Sequence, residues 1–207
     1  MKYREVILAL VILFAGTVMA MSAGNARSET EHNHHHHTMA DASAHQSSAA
    51  SYDIPDVRLV DAGGMTISLR EVLDGNEPVL LNFIFTSCTA VCPVMSATFS
   101  QVQEQLGDEA GGVRMVSISI DPENDTPARL REYASRFGAG PQWRMLTGST
   151  EDSIAVQRAF GAFRGDKMNH EPATYLHTGG PEKSWVRLDG LTSASDIIKT
   201  YRELAAH

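Results

Sequence analysis

The chain has 207 residues, of which 43% are hydrophobic, and a formal net charge of −8 at pH 7. This composition suffices for one globular domain of ordinary size with a hydrophobic core. The part of the sequence with globular composition contains no cluster of lysine and arginine, so the charge pattern of a nucleic-acid-binding protein is missing. We therefore exclude nucleic acid as a partner.

Residues 1–27 have the composition of an export signal. Lys2 and Arg4 precede an apolar run from Val6 to Met21, and small residues follow the run. The run is also close to the length that crosses a bilayer, so a cleaved signal peptide and an uncleaved membrane anchor both remain open. In either case we expect the rest of the chain in the periplasm or at the outer face of the inner membrane. Neighbouring thiols tend to close into a disulfide there.

Residues 28–51 are rich in serine, alanine and histidine and have almost no large apolar side chains, which predicts a disordered linker. The linker holds six of the nine histidines of the chain: His32, His34, His35, His36, His37 and His45. We interpret this segment as a native tract that collects metal ions. A cloning tag and a solvated linker without metal affinity are the alternatives.

Residues 52–207 alternate between strand and helix patterns, which predicts a single α/β domain with helices on both faces of a sheet. A hairpin is predicted first, followed by strands and helices in turn. The hairpin comprises residues 56–60 and 65–69. The later strands are expected at 78–85, 113–120, around 145, 173–177 and 184–188, and the helices at about 93–106, 127–137, 151–160 and after 193.

Cys88 and Cys92 are the only cysteines, and they lie where an apolar strand ends and an amphipathic helix begins. Unpaired backbone N–H groups and a partial positive charge at a helix start favour the thiolate over the thiol. Residues four apart lie on one face of a helix, so both sulfurs can point to the same place. The pair can therefore close a disulfide or hold one metal ion between two thiolates.

Two thiolates alone give a copper ion few ligands, so we expect a third. Of the histidines after the linker, His170 lies in a loop just ahead of a strand, where a side chain can reach the end of another strand. His177 falls at the far end of that strand and His207 at the chain terminus, so we rank His170 first. Thiolates with an imidazole favour copper or zinc over magnesium and calcium, and copper stands above zinc in the usual affinity order.

Several motifs in order resemble the Sco/SenC family of copper-binding proteins that assist cytochrome c oxidase assembly: TSCTAVCP, VSISIDPENDTPARLREYASRFG, WRMLTGS and the lone histidine ahead of ATYL. The similarity covers about residues 55–205. It implies a thioredoxin-like three-layer fold, an N-terminal signal or anchor, and one copper ion, Cu(I) or Cu(II), bound by Cys88, Cys92 and His170. The implied partner is subunit II of cytochrome c oxidase or another periplasmic copper protein.

The resemblance leaves two functions open. The first is a metallochaperone that delivers copper to the dinuclear copper site of the oxidase. The alternative is a thiol–disulfide oxidoreductase that keeps the partner's cysteines reduced, in which Cys88 attacks a disulfide and Cys92 resolves the mixed disulfide. Two features favour the redox role: Asn169 stands where many members have aspartate, and Pro172 resembles the cis-proline that faces the active cysteines of thioredoxins. A purely structural disulfide is a third possibility.

Asp121 and Asp125 in DPENDTP also belong to the family motif. We interpret them chiefly as a strand end and the start of a capped helix, with Asp125 or Thr126 as the cap and Pro127 at the first helical position.

Overall fold

A computed structural model describes residues 46–179 and 184–206, so the predictions for residues 1–45 and for His207 lie outside the described residues. The strands are β1 (Gln46–Ser51), β2 (Arg58–Asp61), β3 (Thr66–Ser68), β4 (Val79–Ile84), β5 (Arg114–Ser119), β6 (Trp143–Thr147), β7 (Ala173–His177) and β8 (Ser184–Asp189). The α-helices are α1 (Leu69–Leu73), α2 (Val91–Leu106), α3 (Pro127–Arg136), α4 (Thr150–Ala159) and α5 (Ala194–Ala205). None of these helices is long and apolar enough to cross a membrane.

The strands form one mixed sheet in the order β1-β8-β7-β4-β5-β6-β2-β3. The three central strands, β4, β5 and β6, are parallel, and the outer strands pair antiparallel. All six residues of β4 are buried. A strand covered on both faces is apolar almost throughout, which is why this segment reads as a continuous hydrophobic run in the sequence.

Helices cover both faces of this sheet and create two hydrophobic clusters. Along β4, Leu80 and Ile84 belong to one cluster and Leu81 and Phe83 to the other, because successive side chains of a strand point to opposite faces. The first cluster takes the apolar sides of α2, α3 and α5, and the second takes those of α1 and α4. The predicted thioredoxin-like three-layer α/β fold is confirmed.

Two helix starts show the predicted capping chemistry. The side chain of Thr126 accepts a hydrogen bond from the Arg129 amide, with Pro127 at the first helical position, so Thr126 rather than Asp125 is the cap of α3. Ser193 caps α5 in the same way by accepting from the Asp196 amide.

Strand β1 corrects the predicted linker. Residues 46–51 were expected to be disordered, but they pair antiparallel with β8, from Gln46 opposite Asp189 to Ser51 opposite Ser184. The prediction is wrong for these six residues because an edge strand is held through its backbone, and its small, mostly exposed side chains carry no hydrophobic signal. Among the described residues the folded domain therefore begins at Gln46 and not at Tyr52.

Candidate metal and redox site

The two cysteines lie at the carboxyl end of β4, in a segment that we call the cysteine turn (residues 85–92). Cys88 precedes α2, and its amide donates to the Phe85 carbonyl at 3.1 Å. Cys92 lies in the first turn of α2 and is 0% exposed, whereas Cys88 is only partly buried. The first cysteine thus lies just outside the helix, as expected, and both thiols are free in the structure.

The protein environment makes the two thiols chemically unequal. Partial burial opposes ionisation of Cys88, but hydrogen bonds from backbone amides at the helix start, that of Cys92 foremost, lower its pKa below the ordinary value. Burial raises the pKa of Cys92 to about 12, and the neighbouring Cys88 and the carboxylate of Asp125 add to the rise. The pair therefore combines a partly exposed thiol whose ionisation is favoured with a buried thiol whose ionisation is opposed, as nucleophilic attack and later resolution require.

His170 follows a 3₁₀ turn (Lys167–Asn169) and precedes β7. Its Nε2 lies 3.0 Å from the carbonyl oxygen of Phe83. Since a carbonyl only accepts, Nε2 must be the protonated nitrogen, and Nδ1 carries the lone pair. Burial lowers the pKa of His170, so the ring is neutral at pH 7.

The expected resemblance of Pro172 to the cis-proline of thioredoxins is wrong. The described residues contain no cis peptide bond, so Pro172 does not form a cis-proline loop.

All three predicted ligands lie at the same edge of the sheet. Strand β7 runs antiparallel to β4, with Thr174 opposite Asn82, so the residues before β7 lie beside the carboxyl end of β4. The structure does not, however, gather the three side chains into a finished metal site: within the described residues, no three His, Cys, Asp or Glu side chains form a group that could hold a metal ion. His177 lies opposite Val79 at the other end of β4, with its ring against Trp185.

A polar network beside the cysteines was missed by the sequence reasoning. Asp125 is 0% exposed and accepts hydrogen bonds from the Thr86 hydroxyl at 2.5 Å, the Thr86 amide at 3.2 Å and the Ser119 hydroxyl at 2.6 Å. Asp121 forms an ion pair of 2.6 Å with Lys167. One signal in the sequence points to this network: both acidic residues follow β5, and parallel neighbours such as β4 and β5 end at the same edge of a sheet.

Comparisons with known proteins agree with this architecture. The family model SCO1/SenC matches residues 45–205. The SCO1 protein homolog of Bacillus subtilis (strain 168) is 33% identical over 135 residues, and the match covers 61% of this chain and 68% of that protein. The structure of BsSco, a member of the Sco family of cytochrome c oxidase assembly proteins with a disulfide switch, is 28% identical, has a TM-score of 0.63 and covers 76% of this chain and 96% of its own. Bradyrhizobium japonicum ScoI with copper bound is 25% identical, with a TM-score of 0.57, over 74% of this chain and 98% of its own.

Proposed function

Since the chain belongs to the SCO1/SenC family, we propose that it binds one copper ion as cargo and passes it to a partner protein during assembly of the dinuclear copper site of cytochrome c oxidase. The observation that carries this proposal is the position of an accessible Cys88 thiol, a second sulfur and a neutral imidazole at one edge of the sheet. Two relatives support it, because BsSco belongs to the oxidase assembly proteins and ScoI of Bradyrhizobium japonicum carries copper.

The donor atoms fit copper. Two thiolates and an imidazole are soft to intermediate ligands, which suit copper better than magnesium or calcium. We assign Nδ1 of His170 as the third ligand, because a metal-binding histidine usually donates its other ring N–H to a carboxylate or carbonyl, and Nε2 already donates to Phe83. In the metal-free structure the three side chains do not form a group that could hold a metal ion, so copper binding would require a change in their relative positions.

The unequal thiols give the loading an order. Cys88 is the first ligand, because its thiolate is favoured and its side chain is accessible. Cys92 loses its proton to water as the ion binds, and the imidazole completes the set. Delivery reverses this order: thiolates of the partner replace the ligands one by one, and the oxidation state of the copper does not change.

The test is copper binding by the reduced full chain under anaerobic conditions. We expect one copper ion that survives a competing chelator, with thiolate-to-Cu(II) absorption when Cu(II) is used. The variant C88S/C92S is the matched control, since it keeps all nine histidines, and it should lose that absorption. His170→Ala should bind about 10-fold or more weakly. If the wild type retains no more copper than C88S/C92S, the proposal is wrong.

A second function, thiol–disulfide exchange, is favoured by the opposite pKa shifts of the two cysteines. The Cys88 thiolate attacks a disulfide of the partner, and one partner thiolate leaves. Cys92 then attacks the Cys88 sulfur and releases the second partner thiol, so two electrons pass from the cysteine pair to the partner. Cys92→Ser should therefore trap a mixed disulfide with a cysteine-pair substrate, and Cys88→Ser should not. Equal trapping by both variants would exclude this order of attack.

The proposed location is the periplasm or the outer face of the inner membrane, and the composition of residues 1–27 supports it. Protease added to intact spheroplasts should digest the domain, while a cytoplasmic marker survives.

A further inference from the structure

The loop between β5 and α3, residues 121–125, contacts both segments that carry candidate ligands. On one side Asp125 holds the cysteine turn, because it accepts hydrogen bonds from both the hydroxyl and the amide of Thr86, two residues before Cys88. Asp125 is 0% exposed, so bulk solvent does not compete for this contact. The cysteine turn is therefore fixed to this loop.

On the other side Asp121 holds the segment that carries His170, which we call the histidine segment (residues 164–171). Nζ of Lys167 donates to Asp121 Oδ2 at 2.6 Å, and the Asn124 side chain donates to both oxygens of the same carboxylate. Asp121 is 6% exposed and Lys167 34%, so the carboxylate is buried in the loop and the ammonium reaches it from the partly exposed histidine segment.

The hydroxyl of Ser119 joins the two carboxylates. It donates to Asp125 at 2.6 Å and accepts from the Asp121 amide at 3.0 Å. The loop also closes on itself, because the Asp125 amide donates to the Asp121 carbonyl at 2.9 Å. The two carboxylates thus belong to one hydrogen-bonded loop.

The histidine segment has few other ties to the domain. Arg164 pairs with Glu171, and the Asp166 side chain accepts from the Met168 amide, but these bonds lie within the segment. Among the described hydrogen bonds, the side chains of the segment reach other parts of the domain at three places: Arg164 donates to the Gly161 and Phe163 carbonyls, Lys167 donates to Asp121, and His170 bonds to Phe83. The Arg164 bonds lie at the start of the segment, so Lys167 is the tie nearest to His170 in the 3₁₀ turn, and its ammonium also lies over the Phe85 ring. The segment also borders open space, because a cavity of about 330 Å³ is lined by both partners of the ion pair and by His170.

The ion pair acts on the imidazole through a short path. The His170 amide donates to the Lys167 carbonyl at 3.1 Å, which closes the 3₁₀ turn between them. If Lys167 is released, this turn can shift into the adjacent cavity and the imidazole can leave the Phe83 carbonyl.

We propose that Lys167 is a positioning residue, whose ion pair with Asp121 keeps the His170 imidazole at the end of β4 with Nδ1 available, in register with the cysteine turn that Asp125 holds. Its consequence for metal binding rests on the proposed copper function. The positioning itself does not, because it concerns the metal-free protein.

The first test uses the metal-free full chain, with ¹⁵N NMR of the imidazole rings. In the wild type, His170 should be in the Nε2–H form, and Lys167→Met should mix the two neutral forms as the bond to Phe83 is lost. Lys199→Met is the matched control, since it removes the same group from an exposed ion pair with Glu203 on α5. Lys167→Arg keeps the charge and should restore the wild-type spectrum. If Lys167→Met leaves the His170 form unchanged, the proposal is wrong.

The second test measures copper affinity in a double-mutant cycle. Lys167→Met should weaken binding about 10-fold, as expected for a residue that orients a ligand, and it should have no further effect in the His170→Ala background. An equal loss in both backgrounds would show a general structural effect and overturn the proposal. Asp121→Asn provides an independent variant of the same ion pair if Lys167→Met folds poorly. If the wild type binds no copper, the proposed function fails, and the NMR result alone decides the positioning claim.

Discussion

The cysteine turn and the histidine segment lie at the same edge of one sheet, but they are held in different ways. The cysteine turn is fixed by backbone hydrogen bonds at a helix start and by the buried carboxylate of Asp125. The histidine segment is held by a partly exposed ion pair, by the bond from the imidazole to Phe83 and by bonds from the exposed Arg164 to two backbone carbonyls. The fold thus sets the chemistry of the sulfurs firmly and leaves the imidazole adjustable. Under the proposed copper function, the sulfurs would be the fixed part of the site and the imidazole the adjustable part.

Alkylation of the two thiols is the strongest test of the cysteine turn, which the fold holds firmly. At neutral pH, iodoacetamide should modify Cys88 at least about 30 times faster than Cys92. The lower pKa of Cys88 gives it a larger thiolate fraction, and the lower nucleophilicity of that thiolate cancels only about half of this advantage on a logarithmic scale. The burial of Cys92 slows its reaction further. Peptide mass spectrometry over time gives both rates. In urea the two rates should become similar. Equal rates in the folded protein would contradict the asymmetry.

Asp125, which holds the cysteine turn, and Asp121, which holds the histidine segment, should contribute differently to the free energy of unfolding. Asp125→Ala should lower the free energy of unfolding by about 2–4 kcal/mol, because the buried groups of Thr86 and Ser119 lose their acceptor. Asp121→Asn should cost less, at most about 1 kcal/mol, because Lys167 is 34% exposed and water can replace its partner. Urea denaturation measures both values.

Glu132→Ala, on the exposed face of α3, serves as the control for these stability measurements and should change the free energy of unfolding by less than about 0.5 kcal/mol. If Asp121→Asn destabilises the protein more than Asp125→Ala, the histidine segment, and not the cysteine turn, is the more firmly held of the two.

The smallest effect is expected from the titration of His170. Burial lowers its pKa in the native protein, so its NMR titration midpoint should fall below the ordinary value of 6.5. Above pH 6.5 the ring is neutral in both states and contributes no pH dependence. As the pH falls below 6.5, the unfolded chain binds the proton first, so native stability decreases until the native pKa is passed.

The decrease attributed to His170 should be less than about 1 kcal/mol, since the ring is only partly buried. His170→Gln should show a correspondingly weaker pH dependence in urea denaturation between pH 7.5 and 5. A midpoint at or above 6.5 would mean that the native state does not disfavour the protonated ring, and that the bond to Phe83 does not hold a neutral imidazole.

Local patterns explain what the sequence could predict. The apolar run of β4 and the stripe of Met95, Phe99 and Val102 on α2 arise from segments whose own periodicity decides their structure, and the position of Cys88 and Cys92 follows directly from the junction between them. The bounds of the later strands and the Ser193 cap could likewise be predicted, because they also depend on local sequence patterns.

The rest depended on contacts between distant parts of the chain. Asp125 and Thr86 are 39 residues apart and His170 and Phe83 are 87 apart, so no local pattern reveals either bond. The prediction of a disordered linker at residues 46–51 was wrong for a related reason. These residues form β1 because β8 offers backbone partners, and their own serines and alanines would suit a loop equally well. The helix α1 was missed because the hairpin pattern continues through Leu69 into its first turn.

Strand β1 also has a consequence for the behaviour of the protein at high concentration. Without it, the backbone of β8, which includes Trp185 and Leu188, would form an open template for another molecule. With it, the sheet ends in a short row of serines and alanines on one side and in the three residues of β3 on the other. Removing residues 46–51 should therefore promote self-association even where the remaining domain keeps its fold.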